Sequence, residues 1–175
     1  SKVNWKPMKF LIGGRVIGGP IGLVFLTTLD PNLLSISVGA IVLSAGLGSY
    51  FGWNVKRNSI NSLLAGTFSG IFGMIAAIGG PPVAILYRGT KGSEFRPSLN
   101  AVFTLGILIT LSLLVFTGNL LQDHLVLFLY LVLPVLLGIR FSSLLFSRVS
   151  DKLIADMVTY FSIFSGAVVI YRELF

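Results

Sequence analysis

The chain has 175 residues, of which 54% are hydrophobic and only 11% are charged, and it contains no cysteine. A soluble domain carries about 25% charged residues, so this chain has too little polar surface for a soluble globule. The formal net charge of +7 lies in short segments between apolar stretches and forms no continuous run. This distribution argues against a nucleic-acid partner and favours loop residues that orient helices in a lipid bilayer.

Apolar stretches of membrane-spanning length follow one another along the whole chain. A helix of about 20 residues crosses the ~30 Å hydrocarbon core of a bilayer. The apolar stretches are 8–29, 33–53, 60–86, 99–117, 125–146 and 153–171. We therefore predict an all-α, polytopic transmembrane bundle with about six hydrophobic segments.

Several helix boundaries carry capping residues. Asp30 followed by Pro31 predicts the start of the second segment, and Asn58 or Ser59 can cap the third. Gly118 is placed to end the fourth. Because the connections are short, we expect sequential helices to be antiparallel neighbours.

Basic residues predict the orientation of the segments. They lie in the N-terminal segment and after the second, third and fifth apolar stretches, whereas 30–32 and 118–124 contain none. The positive-inside rule then gives connections that are in, out, in, in, out and in, with the C-terminus outside. Two successive inside connections flank segment 60–86.

Segment 60–86 is too long for one upright helix and carries a strong helix-breaking signal. It contains two consecutive glycines followed by two consecutive prolines, Gly79, Gly80, Pro81 and Pro82. The glycines weaken a helix, and the prolines remove two amide donors and block the preceding turn. We predict a broken or re-entrant helix whose short arm, 83–87, either returns or continues across the membrane. A continuing arm would place the basic residues that follow it in an outer vestibule.

A broken helix at membrane depth favours an anion site, because it frees backbone N–H groups and directs a helix dipole at the gap. Nearby polar residues are candidates for the same site: hydroxyls on either side of the break, and an arginine and an asparagine near the start of the next helix. The predicted substrate-binding residues are Gly79, Gly80, Pro81, Pro82, Arg96, Asn100, Ser69 and Thr104. The alternatives are a relieved proline kink, a loop arginine and an interfacial cap.

Two other arginines and two small-residue faces lie within the apolar segments. We expect Arg15 and Arg140 to reach the nearest membrane surface, since both are close to predicted inner ends. Small residues recur at helical spacing in the first and third segments, which predicts close helix packing there. They are Gly14, Gly18 and Gly22, and Gly66, Ser69, Gly70 and Gly73.

The sequence does not predict a catalytic site. His124 is the only histidine and falls in a predicted outer loop, so neither a metal cluster nor a serine–histidine pair is expected. Asp156, at the start of the last segment, is the only carboxylate within the spans. We predict a protein that is not an enzyme and needs no cofactor or metal.

The sequence around the break resembles one membrane permease family. Residues 66–87, which run from a glycine-rich helix into Gly-Gly-Pro, together with 95–101, are similar to the second-half signature of the sulfite exporter TauE/SafE family. The resemblance implies a permease with two similar halves. It also implies substrates such as sulfite, thiosulfate or organosulfonates, moved across the bacterial inner membrane.

The resemblance further implies a division of the chain. Residues 1–57 would be the last helix pair of a first repeat, and 58–175 a second repeat with a broken helix and three transmembrane helices. Stretches 11–53 and 125–171 are faintly alike, and under the predicted orientation they are inverted; two unrelated helical hairpins would look similar. We expect either a piece of a longer permease, with an N-terminal half missing, or a short protein completed as a homodimer.

The sequence thus predicts a transporter of small anions that works by alternating access around 79–82. Two alternatives belong to other classes. One is a membrane scaffold or assembly subunit that transports nothing, and the other is a passive anion channel.

Overall fold

The computed structural model describes residues 5–52, 55–87, 92–119, 122–145 and 151–174, and the regular structure in these ranges is helical. The helices are α1 (Trp5–Thr28), α2 (Pro31–Tyr50), α3 (Ser59–Ala76), α4 (Gly80–Leu86), α5 (Gly92–Phe116), α6 (Gln122–Leu145) and α7 (Asp151–Leu174). Within them, four stretches are long and apolar enough to cross a membrane: Pro7–Thr28, Pro31–Tyr50, Ser59–Ala76 and Pro97–Phe116. The predicted helical membrane bundle is confirmed.

The predicted caps are present at the helix ends. The Asp30 side chain accepts a hydrogen bond from the Leu33 backbone N–H at 2.9 Å, and Asn58 accepts one from Asn61 at 2.7 Å. Gly118 follows α5 with a φ of 69°, in the left-handed region that favours glycine. Local sequence signals therefore fix these ends.

Helix α1 packs against α3 through the two small-residue faces. A methyl group added at Gly14 would overlap the carbonyl oxygen of Leu63, and one at Gly66 would overlap that of Leu11. Further along, Gly22 faces the Met74 end of α3. Residue numbers rise together in the two helices, so α1 and α3 run parallel, with backbones in direct contact. The close packing predicted for these faces is confirmed.

Helix α2 packs against α7 in the opposite sense. Gly39 lies beside Ile170, and near the other end of α2 the Ser49 and Thr159 hydroxyl oxygens are 3.0 Å apart. The expectation that sequential helices are neighbours is therefore wrong for α1 and α2. The glycine face of α1 fits α3, and that of α2 fits α7. Close backbone packing with these later helices therefore decides which helices are neighbours, and the short connection between α1 and α2 does not.

Helix α5 completes the larger helix group. Gly19 of α1 lies against Leu113 of α5, and Arg15 reaches Val102, so α5 also runs parallel to α1. The starts of α1, α3 and α5 thus share one end of the molecule. A buried apolar cluster lies towards this end, formed by Met8, Leu11, Val83, Leu86, Tyr87 and Val102.

Candidate functional site

The helix break lies between α3 and α4. Helix α3 ends because Ala77 adopts a left-handed conformation with φ 56°, which costs a residue with a Cβ about 1–2 kcal/mol. Helix α4 begins at Gly80, with Pro81 and Pro82 in its first turn, where proline needs no amide donor. The break predicted at 79–82 is therefore confirmed. The residues between the two helices are 77–79, and the prolines open the next helix.

The arm after the break folds back along α3. The Ser69 hydroxyl donates a hydrogen bond to the carbonyl of Gly79. At the far end of α4, the Arg57 guanidinium carbon lies 5.0 Å from the centre of the Tyr87 ring. Because Arg57 immediately precedes α3, α4 returns to the end at which α3 begins. Of the two alternatives, the returning arm is present and the continuing arm is wrong.

An ion pair holds the start of α5 at this same end. Arg57 Nη1 and Glu94 Oε1 are 2.8 Å apart, and both side chains are about one quarter exposed. The chain segments on both sides of the α3–α4 hairpin therefore meet at one end of the molecule. This arrangement explains why two successive connections are basic. The α3–α4 hairpin begins and ends at the same end of the molecule, so the connections before and after it lie on the same side of the membrane.

Arg15 lies beside the break, near the middle of α1. Its side chain is only 5% exposed, and Nη1 donates a hydrogen bond of 3.3 Å to the Val102 carbonyl oxygen. The expectation that Arg15 reaches the membrane surface is wrong. The buried guanidinium fits because residues 73, 79 and 106 are glycines. A methyl group added at Gly73, Gly79 or Gly106 would collide with it or press closely against it.

A cavity of about 510 Å³ separates the break from the α2–α7 pair. Small-molecule sites span about 300–1,000 Å³, so its volume suits a small solute. Seven of its lining residues are apolar or glycine, and three carry hydroxyls. They are Val42, Ala45, Gly46 and Ser49 of α2, Ile78, Pro81, Ala84 and Ile85 of the break and α4, and Thr159 and Ser162 of α7.

The comparison with known families gives one match. The family described as Sulfite exporter TauE/SafE matches residues 1–169 of the chain. The chain belongs to this family. TauE/SafE proteins are membrane transporters of sulfite-type anions, so this member is a multi-pass transport protein and not an enzyme. No curated protein and no solved structure matches it.

Some of the predicted site residues of this TauE/SafE member lie at the break. Pro81 lines the cavity, while Ser69 and Gly79 are buried behind it and bonded to each other. Gly80 faces Phe103, and a methyl group added to it would lie 3.6 Å from the ring. Pro82 is partly buried and does not line the cavity.

The predicted residues on α5 are not brought to the cavity. Asn100 and Thr104 are exposed and do not line it. The side chain of Arg96 lies outside the described residues. The polar edge of α5 therefore faces away from the part of the break that the structure describes.

The cavity hydroxyls of α2 and α7 and the buried arginine were not among the predicted site residues. Arg15 precedes Gly18 by three positions and Gly22 by seven, which puts it on the packed glycine face of α1. That spacing was a usable signal. Ser49, Thr159 and Ser162 had none, because only the packing of α2 on α7 brings them to the break.

Proposed function

We propose that this TauE/SafE member carries small sulfur-containing oxyanions, such as sulfite, thiosulfate or organosulfonates, across the bacterial inner membrane by alternating access. The observation that carries the proposal is the 510 Å³ cavity, bounded on one side by the broken helix and on the other by α2 and α7. Irregular backbone at membrane depth is tolerated where it lines such a space.

The lining of the cavity supports an anionic solute. Hydroxyls from Ser49, Thr159 and Ser162 can donate hydrogen bonds to oxyanion oxygens. The rest of the lining is apolar, so a bound anion meets few polar groups other than these donors. Of the predicted binding residues, Pro81 lines the cavity, and the proposal includes Ser69, Gly79, Gly80 and Pro82 as the neighbouring residues of the break.

The helix groups on either side of the cavity support alternating access by rocking of one group against the other. Helices α1, α3, α4 and α5 form one group and α2 with α7 the other, and they meet along α2 with α3 and α4. Rocking one group against the other would open the cavity to each side in turn. Glycines at the α2–α7 contact, such as Gly39 and Gly46, keep that pair together as a unit.

The test measures binding and transport together. The melting temperature in detergent is recorded with sulfite, thiosulfate, sulfoacetate, sulfate and chloride, because a ligand that binds the folded state raises it with concentration. Uptake and counterflow are then measured in liposomes. Ala84→Phe, which fills the cavity, should abolish both the shift and the uptake. Ala40→Phe makes the same change at an exposed α2 position outside the cavity and should leave both unchanged.

Each alternative has its own result. A folded protein with no thermal shift from any of these anions, and no uptake, would favour the scaffold. Uptake that does not saturate and gives no counterflow would favour a passive channel. Full activity in Ala84→Phe would show that the substrate path lies outside this cavity.

A further inference from the structure

Arg15 is a positive charge held inside the helix bundle. Its side chain is 5% exposed, and it sits near the middle of a helix that is long and apolar enough to span a membrane. A charge at such a depth is costly unless it is paired or lines a polar space. Its presence therefore requires a compensating group.

Carboxylates do not provide that group within the described part of the chain. The ion pair found there joins Arg57 to Glu94 at the end of the bundle. Asp30 is an exposed cap of α2, Asp156 is exposed on α7, and Glu173 lies in the last turn of α7. The guanidinium of Arg15 consequently keeps a full positive charge that the described side chains leave uncompensated.

Most of the donors of Arg15 are also available. A guanidinium carries five N–H groups, and among the described residues Arg15 makes a single hydrogen bond, from Nη1 to the Val102 carbonyl oxygen. That bond fixes the side chain between α1 and α5. It leaves the other edge of the planar fork directed at the break.

The break comes close to this edge. The Nη2 atom lies 3.1 Å from the position that a Cβ of residue 79 would occupy, and 3.0 Å from that of residue 73. Gly79 directly follows Ile78, which lines the cavity. With glycine at both positions, no side chain of residue 73 or 79 separates Nη2 from the break, and the Ser69 hydroxyl oxygen lies 3.0 Å from the same Cβ position of residue 79.

We infer that Arg15 supplies the positive charge that holds the transported oxyanion at the break, an assignment that rests on the proposed transport function. The planar fork of a guanidinium matches the oxygens of a sulfite or sulfonate group better than an ammonium does. The anion in turn neutralises a charge that the bundle otherwise bears alone. Empty and loaded carriers therefore differ in the net charge at the centre of the bundle.

The test uses methanesulfonate and dimethyl sulfone, which are close in shape and differ in charge. Binding to the full chain in detergent is measured by calorimetry and thermal shift, for the parent and for Arg15→Met and Arg15→Lys. The parent should bind methanesulfonate and not the sulfone. Arg15→Met should weaken methanesulfonate binding at least about 30-fold, as for removal of one partner of a buried charge pair. Arg15→Lys should weaken it about tenfold, because charge remains but the fork is lost.

Arg140→Gln is the matched control, since it removes an arginine from another apolar segment, at an exposed position. It should leave methanesulfonate binding unchanged. If Arg15 only ties α1 to α5, a folded Arg15→Met will have a lower melting temperature but the same methanesulfonate affinity, and the assignment is overturned. If Arg15→Met does not fold, unchanged affinity in Arg15→Lys overturns it equally. A parent protein that binds no anion overturns both this assignment and the transport proposal.

Discussion

At the scale of single residues, the two glycines of the break have different tasks. Neither has a positive φ, so conformational freedom does not explain them. A methyl group on Gly79 would lie 2.7 Å from the Ser69 carbonyl oxygen and 3.1 Å from Arg15 Nη2. On Gly80 it would meet only the Phe103 ring, at ordinary contact distance. Gly79 is required for packing, whereas Gly80 is replaceable.

Gly79→Ala should therefore destabilise the protein by about 1–3 kcal/mol, the usual cost of overpacking a close contact, and should lower anion affinity by displacing Arg15. Gly80→Ala, the adjacent control, should change stability by less than about 0.5 kcal/mol. Unfolding in detergent by SDS titration measures both. Equal tolerance of alanine at the two positions would contradict the packing described around Gly79.

The sequence predicted that the helix breaks here, but not at which residue. Proline and glycine signals are local, and they correctly separate α3 from α4. Ala77 takes the left-handed conformation that ends α3, and nothing in an alanine indicates this. The Ser69–Gly79 hydrogen bond holds the turn in place, and that contact exists only after the arm has folded back.

At the scale of helices, α1 and α3 pack closely over much of their length within the described part of the chain. Added methyl groups at Gly14, Gly18 and Gly66 would all overlap main-chain atoms of the opposite helix. Lipid provides no hydrophobic force between helices, so backbone proximity and van der Waals contact supply the association energy. The short arm α4 packs on α3 of this parallel pair.

Gly66→Ala should push α1 away from α3 and destabilise the protein by about 2 kcal/mol or more. Gly138→Ala on α6 is the control, because nothing lies within 4 Å of the added methyl group. There the better helix propensity of alanine should stabilise the protein by up to about 1 kcal/mol. SDS titration of both variants gives the comparison, and a neutral result for Gly66→Ala would show that the contact is loose.

The extent of each helix was largely predictable, while its partner was not. Hydropathy and caps such as Asp30 and Asn58 act within a few residues, so the starts of α2 and α3 were predicted closely. The partner of a helix depends on which other helix fits its glycine face, and that helix can lie far along the chain. A short connection between α1 and α2 consequently misled the expectation of neighbouring helices.

At the scale of the whole molecule, the direction of the helices sorts the loops into two sets. Helices α1, α3 and α5 start at one end, and α4 returns there. The turn before α2 lies where α1 ends, and α5 ends on that same side. The division into repeats at 57/58 remains a prediction, and the contacts of α1 with α3 and of α2 with α7 both cross it.

Single cysteines can test this arrangement directly, because the sequence contains none. In right-side-out vesicles, a membrane-impermeant maleimide should react with Asn32→Cys and Asn119→Cys. It should leave Lys56→Cys and Gly92→Cys unlabelled until the membrane is permeabilised. The unsubstituted chain is the control for background. Labelling of Lys56→Cys and Gly92→Cys from opposite sides would mean that the arm after the break crosses the membrane.

The partnership of α2 with α7 has a consequence for biogenesis. A ribosome delivers α2 to the membrane long before α7, with α3 to α6 made in between. Until α7 arrives, the glycines of α2 face lipid or insertion machinery, and one wall of the cavity is missing. The cavity is therefore completed late in synthesis, so an unfinished chain lacks the wall that α7 contributes to the proposed anion site.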